Sequence, residues 1–254
     1  MSEIHFDFRE RNFVVVGASS GMGRQIALEL AKSGAHVLAI ARSEERLARL
    51  AVESDRIATV SLDVTKAEKS DWKAALDEFV EAHGKFHGGV YTAGISGATP
   101  LQCFDECFAR QIMETSYWGA VRFIQAASKK KYSEPAASLL VFASVAGQTG
   151  EKGLFAYSAA KAAIVAAVKS FAHDLSRDKK RINTISPGTI QTEMTKRAVD
   201  DMGIPINSVG RHLFGIGEPQ DVSGMALFLL SDRACWITGQ DFVVDGGYLR
   251  GAWN

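Results

Sequence analysis

The 254-residue sequence predicts an α/β fold: a doubly wound parallel sheet of about seven strands with helices on both faces. Three observations carry that reading. Short runs rich in Val, Ile and Leu alternate with helical stretches along the chain. Those runs, such as "FVVV" at 13–16 and "LLVFA" at 139–143, are continuously apolar, as strands buried on both faces are. No Pro/Gly/Ser-rich linker and no internal repeat interrupts the series, so residues 1–254 read as one domain.

The elements follow in order. "NFVVVG" (12–17) is a β-branched strand ending in glycine, and "MGRQIALELAKSG" is a helix that stops at Gly34. "HVLAIA" (36–41) is the second strand. In "SEERLARLAVE", Ser43 suits the N-cap of a second helix, with Glu44 and Glu45 in its first turn. "IATVSLDV" (57–64) is the third strand and 66–83 the third helix. "GGVYTAG" (88–94) is the fourth strand, and one long helix is expected over 103–130. "ASLLVFAS" (137–144) leads to a fifth helix over 155–177. "RINTISPG" (181–188) leads, after a long irregular piece, to a sixth helix over 218–231 and a last strand in "DFVVDGG" (241–247). That irregular piece, 189–217, is long for a loop and suits a substrate lid.

Composition excludes several classes. Lys+Arg and Asp+Glu both number 29, so no overall field favours nucleic acid or an anionic membrane. The run Lys129-Lys130-Lys131 reads as the solvated end of a helix, where cations suit the macrodipole. No window approaches the apolar length of a membrane span, and "MSEIHFDFRERNF" lacks the apolar core of a signal peptide. Three cysteines, Cys103, Cys107 and Cys235, with no CxxC, read as reduced thiols of a cytoplasmic protein, packed in the core and holding no metal.

Two clusters carry chemistry. "VGASSGMG" places Gly17, Gly21 and Gly23 between a strand and a helix, where glycines let the backbone approach a pyrophosphate at a helix N-terminus. "YSAAK" sets Tyr157 and Lys161 four residues apart, on one helix face. Alone, that pair reads as a packed tyrosine and a lysine snorkelling to water. Ser144, at the end of the fifth strand, changes this, because open parallel sheets bind ligands beyond the carboxyl ends of their strands.

The spacing Gly-x3-Gly-x-Gly resembles the cofactor loop of the short-chain dehydrogenase/reductase family, a group of Rossmann-fold oxidoreductases using NAD or NADP. The resemblance continues through "LDV" (62–64), "AG" (93–94), Ser144, "YSAAK" (157–161), "PG" (187–188) with Thr192, and "ITGQDFVVDGG" (237–247). It implies that Tyr157 exchanges a proton with a ketone or alcohol oxygen while Ser144 hydrogen-bonds that oxygen. Lys161, together with the oxidised nicotinamide, would lower the phenol pKa, and Lys161 would also hold the cofactor ribose. Gly17, Ser19, Ser20, Gly21, Met22 and Gly23 would hold the cofactor phosphates, with Asp63 and Val64 at its adenine. Ala93 and Gly94 would lie along it, and Pro187, Gly188, Ile190 and Thr192 would flank its nicotinamide.

The chain departs from the family pattern at three places. Ser116, in "SYWG", stands where the family has an asparagine that serves a proton relay to Lys161. Val16 and Thr92 stand where it has a threonine and an asparagine that brace the sheet; as expected sheet neighbours, they are expected to compensate each other. At the end of the second strand Ala41 and Arg42 replace the acid that binds a 2′-hydroxyl, which favours NADP(H) over NAD. Met194, Met202, Ile204, Pro205, Ile206, Val209, Leu213 and Phe214 in the lid suit a hydrophobic or alicyclic ketone, though they also fit simple lid packing. Arg211 and His212 are open to an anionic substituent or water, and Phe155, Tyr117 or Trp118 could shape the pocket. A 3-oxoacyl-thioester reductase and a non-catalytic cofactor-binding sensor or scaffold are the alternatives. The resemblance also implies a homodimer or homotetramer.

Overall fold

The structure, a computed structural model, describes residues 5–202 and 212–251. Its strands are β1 (Asn12–Val16), β2 (His36–Ala41), β3 (Ile57–Ser61), β4 (Phe86–Tyr91), β5 (Ser133–Phe142), β6 (Arg181–Pro187) and β7 (Asp241–Val244). All pair in parallel, in the order β3-β2-β1-β4-β5-β6-β7. The order reverses between β1 and β4, which opens a crevice at their carboxyl ends.

The period of two along each strand divides the core. Phe13 and Val15 of β1 face α1 (Gly21–Lys32), α2 (Glu44–Val52) and α9 (Pro219–Leu230), where Ile26, Leu30, Leu50, Val222 and Leu229 are buried. Val14 and Val16 face the opposite layer: Leu76 of α3 (Lys69–His83), Phe123 of α5 (Gly119–Ala127) and Ile164 of α7 (Phe155–Leu175). Ser43 caps α2 as expected, its hydroxyl accepting from the Arg46 amide at 3.4 Å.

Four expectations need correction. The long helix over 103–130 is broken: α4 (Glu106–Met113) passes through a π turn (Glu114–Trp118) into α5. The cause comes from the sheet. The buried Tyr91 hydroxyl donates to the Thr115 carbonyl at 2.6 Å, and only the missing side chain of Gly119 leaves it room.

The piece 189–217, read as irregular, contains α8 (Glu193–Met202). Thr192 receives the Thr195 amide at 3.3 Å, and Glu193 lies in the first turn, both favourable at a helix start. Residues 203–211 lie outside the described residues, as do the side chains of 198–202. Met202, Ile204, Pro205, Ile206, Val209 and Arg211 of the expected lid fall among these.

The three cysteines are exposed rather than packed in the core, and no metal-binding cluster occurs among the described residues. One stretch, Phe155–Asp178, is long and apolar enough to cross a membrane by length and composition. That stretch contains α7, which packs against the sheet through the buried Ile164 and Val168.

The neighbours Val16 and Thr92 stand as expected. The Thr92 amide and hydroxyl both donate to the Val16 carbonyl, at 2.8 and 2.9 Å. Replacing Thr92 by Val removes the hydroxyl bond but keeps the amide bond. The variant should lose about 1 kcal/mol of stability, read as a lower urea midpoint at unchanged slope.

Candidate active site

The turn from β1 to α1 is built for close approach. Gly17 has φ +87°, and a Cβ there would stand 2.5 Å from the Thr92 hydroxyl oxygen. A Cβ on Gly23 would collide with the Gly17 carbonyl and the same hydroxyl. Gly21 has φ +52° and lies under Thr192, whose Cγ2 would be 3.2 Å from an added Cβ. Ser20 caps α1 without a side-chain hydrogen bond, and no acid occupies the first turn. The first amides of the helix, at Gly21, Met22 and Gly23, therefore keep their positive end for an anion, with partly buried Ser19 beside them.

Ser144 follows β5, its hydroxyl accepting from the Ala146 amide at 3.2 Å. α7 brings Tyr157 beside it and buries Lys161, which is only 4% exposed. The Lys161 ammonium donates to the Phe142 carbonyl at 2.7 Å and lies 5.6 Å from the centre of the Tyr157 ring. The helix that presents both side chains is thus tied to the end of β5.

Burial pushes the Tyr157 phenol up, and its hydrogen bond with Ser144 only partly opposes this. The Tyr157 phenol thus keeps its proton at neutral pH. Burial draws the Lys161 ammonium down to about 8.

Ser116 sits in the π turn, 1% exposed, and its hydroxyl oxygen finds no hydrogen-bond partner among the described residues. That oxygen and the Lys161 ammonium border the same space: a Cβ on Gly94 would lie 3.5 and 3.6 Å from them. A glycine at 94 therefore keeps room beside both polar groups.

The remaining predicted residues stand at or just after strand ends. Ala93 and Gly94 follow β4 across from Gly17. Beyond β3, burial opposes ionisation of Asp63, but the Thr65 hydroxyl and amide, with Arg42 nearby, hold its carboxyl below the usual value. Val64 beside it is buried. Arg42 is exposed at the end of β2. Pro187 ends β6, and Gly188 follows it.

The Ile190 side chain packs into the core, its Cδ1 against Gly217. His212, read as open to a substrate anion, turns Nε2 to the Thr189 amide at 3.0 Å. Phe155 meets Phe104 edge to face at 4.9 Å, beside Tyr157, while Tyr117 and Trp118 pack on each other. Sequence reasoning missed Tyr91, whose role depends on a contact between distant segments and leaves no local pattern.

A family model described as "Enoyl-(Acyl carrier protein) reductase" matches residues 17–249. A solved short-chain type dehydrogenase/reductase from Mycobacterium ulcerans is 27% identical, superimposes with a TM-score of 0.89, and covers 97% of this chain and 92% of its own. This chain belongs to the short-chain dehydrogenase/reductase family.

Among its relatives is a 2-keto-3-deoxy-L-fuconate dehydrogenase of Xanthomonas campestris pv. campestris, 31% identical over 92% of this chain and 79% of that one. A 3-oxoacyl-[acyl-carrier-protein] reductase of Staphylococcus aureus is 29% identical, over 93% and 97%. A 3-alpha-(or 20-beta)-hydroxysteroid dehydrogenase of Mycobacterium bovis is 31% identical, over 94% and 89%. The structure titled "ElxO with NADP Bound" matches with a TM-score of 0.84 at 25% identity, over 94% and 99%. This short-chain dehydrogenase/reductase is an oxidoreductase of alcohol and ketone groups, and its family uses a nicotinamide cofactor.

The π turn supplies a test. Tyr91→Phe leaves the buried Thr115 carbonyl without its donor, which should cost about 1–3 kcal/mol in urea unfolding. Activity should fall with it, because the turn carries Ser116; an unchanged urea midpoint would contradict the role given to Tyr91.

Proposed function

We propose that this protein is an NADP(H)-dependent oxidoreductase of ketones and secondary alcohols, with Tyr157 as the general acid and base. The observation that carries it is the meeting of Ser144, Tyr157 and the buried Lys161 at the carboxyl end of β5. The glycine turn, the uncapped start of α1 and the space beside Gly94 fit a dinucleotide. Gly17, Ser19, Ser20, Gly21, Met22 and Gly23 hold its phosphates, and Asp63 and Val64 its adenine. Ala93 and Gly94 lie along it, and Pro187, Gly188, Ile190 and Thr192 hold its nicotinamide end. When bound, the cofactor gives or takes the hydride.

The protein's own groups handle the proton. Ser144 orients the substrate oxygen, and Tyr157, kept protonated by burial, delivers its proton there in reduction. Lys161 stabilises the phenolate that remains, through charge placed close by in a site shielded from water. Its remaining N–H groups are free to hold the ribose. The Ser116 hydroxyl, buried and unpartnered, can accept from and donate to a water in the space beside Gly94, which completes a relay to Lys161.

Cofactor choice rests on Arg42. β2 ends in Ala41, so no carboxylate there repels a 2′-phosphate. Glu45 pairs with Arg49 at 2.6 Å, and no ion pair engages Arg42 among the described residues. The NADP named in the ElxO structure points the same way.

The substrate reading is a hydrophobic or alicyclic ketone. The exposed Phe104–Phe155 pair supports it, with Met194 also exposed at the start of α8. The hydroxysteroid dehydrogenase relative agrees with it. The Staphylococcus aureus relative supports a second reading, a 3-oxoacyl thioester. Following NADPH absorbance with cyclic ketones beside 3-oxoacyl thioesters separates the two.

The small exposed Ala159, with exposed Trp118 and Phe155, borders a cleft of about 640 Å³ on the α4–α7 face. That face suits a second copy of the chain in a homodimer or homotetramer. Three exposed free thiols suit a reducing, cytoplasmic setting.

Two substitutions test the assignment. Tyr157→Phe should lower kcat by about 10²–10⁴-fold while the cofactor Kd stays near wild type; retained turnover would exclude Tyr157 as the acid. Arg42→Ala should lower kcat/KM for NADPH by about ten- to a hundredfold and leave NADH unchanged. Wild-type preference for NADH would overturn the cofactor reading.

A further inference from the structure

The loop 150–154 runs from α6 (Ala146–Thr149) into α7, where the exposed Phe155 starts the helix beside Tyr157. Little holds this loop from within. Gly150 (φ +68°) and Gly153 (φ +74°) both take the left-handed conformation, and no described residue comes within 4 Å of where a Cβ would stand at either. Glycine leaves the backbone many alternatives, so the placement of the loop depends on anchors outside it.

The first anchor is the buried Thr99, in the segment that leads to Phe104. Its amide donates to the Gly153 carbonyl at 2.6 Å, and its hydroxyl accepts from the Ala156 amide at 3.3 Å. Together with the Phe104–Phe155 ring contact, this joins the two segments into one wall beside Tyr157.

The second anchor comes from the far end of the sequence. The Tyr248 hydroxyl donates to Glu151 Oε1 at 2.6 Å, across 97 residues, and the Thr149 hydroxyl donates to the same oxygen at 2.8 Å. Tyr248 is itself firmly placed. The Asp245 carboxylate accepts from the Gly247 and Leu249 amides at 2.9 and 2.8 Å, which fixes the turn that carries it. The Tyr248 ring lies on His212 with centroids 4.7 Å apart, and His212 Nε2 receives the Thr189 amide just past β6.

The two ends of this hydrogen bond differ in kind: a fixed turn donates and a glycine-hinged loop accepts. Bonds to a carboxylate are among the stronger ones, so the loop follows the turn. The Glu151 amide also reaches the Ser158 hydroxyl at 3.3 Å, but Tyr157 is positioned independently, through the Lys161–Phe142 bond of α7. What the Tyr248–Glu151 bond adds is the placement of the loop, and with it of the wall that carries Phe155.

We propose that Tyr248 and Glu151 are positioning residues for the ketone or alcohol substrate: the C-terminal turn holds the 150–154 loop where Phe155 can meet it. This rests on the site assigned to Ser144 and Tyr157, and it holds for an alicyclic ketone and for a 3-oxoacyl thioester alike.

The test is steady-state kinetics with the ketone that the wild type turns over best. Tyr248→Phe keeps the ring on His212 and removes only the donor. It should raise KM for the ketone about threefold or more, with kcat within about twofold and cofactor Kd unchanged. Glu151→Ala should do the same, and Glu151→Gln, which keeps an acceptor oxygen, should stay within about twofold of wild type. Tyr248→Phe combined with Glu151→Ala should be no worse than the worse single variant, because both remove one bond.

An unchanged KM in Tyr248→Phe, or equal losses in kcat and kcat/KM, would overturn the proposal. So would a Glu151→Gln variant as impaired as Glu151→Ala, or losses that multiply in the double variant. Tyr157→Phe run alongside separates the two readings. Retained turnover there strikes the catalytic site itself; lost turnover there, beside an unchanged KM in Tyr248→Phe, strikes only the anchor.

Discussion

One buried charge organises this molecule. Lys161 places an ammonium where water barely reaches, and among the described residues the acceptor that holds it is the Phe142 carbonyl, at 2.7 Å. Burying a cation is unfavourable, which is why its proton is held less tightly than in water. The same bond links the middle of α7 to the end of β5 and so sets where Tyr157 stands relative to Ser144. The proposed chemistry needs that registry, because a proton passes only across a hydrogen-bond distance. Charge and geometry thus come from a single side chain.

The sheet supplies the rest of the setting. Strand order reverses between β1 and β4, so the glycine turn after β1 and the Ala93-Gly94 segment after β4 face one crevice. Thr92 stands at their junction, its hydroxyl given to the Val16 carbonyl and packed against the space that Gly17 and Gly23 leave free. From the far side, Thr192 at the foot of α8 reaches over Gly21. Small residues on one wall and backbone amides on the other leave a slot that suits the proposed cofactor phosphates.

Strands, most helices and the glycine turn were readable in the sequence because each depends on a local signal. "FVVV" and "HVLAIA" announce strands by continuous apolar runs, and Ser43 announces a helix start by its hydroxyl. The fourth long helix was not readable as it stands, since its π turn depends on Tyr91 reaching across from β4 into the gap left by Gly119. The cysteines misled for a related reason: a small apolar residue is more often buried, but Cys103 lies in the exposed turn before α4 and Cys107 in its exposed first turn. Ile190 and His212 show the same limit at the site. Both stand near the proposed nicotinamide end, yet one side chain packs inward and the other serves a backbone amide.

The most direct measurement is the protonation of Lys161 itself, followed by side-chain NMR of the labelled ammonium across pH, with Lys161→Arg to assign the signal. A folded pKa drawn below the ordinary lysine value means that the group is charged below that pH and neutral above it. The account predicts a midpoint near 8, against an ordinary value of 10.5. A midpoint at the ordinary value would mean an ammonium open to water, and the buried charge on which the site depends would not exist.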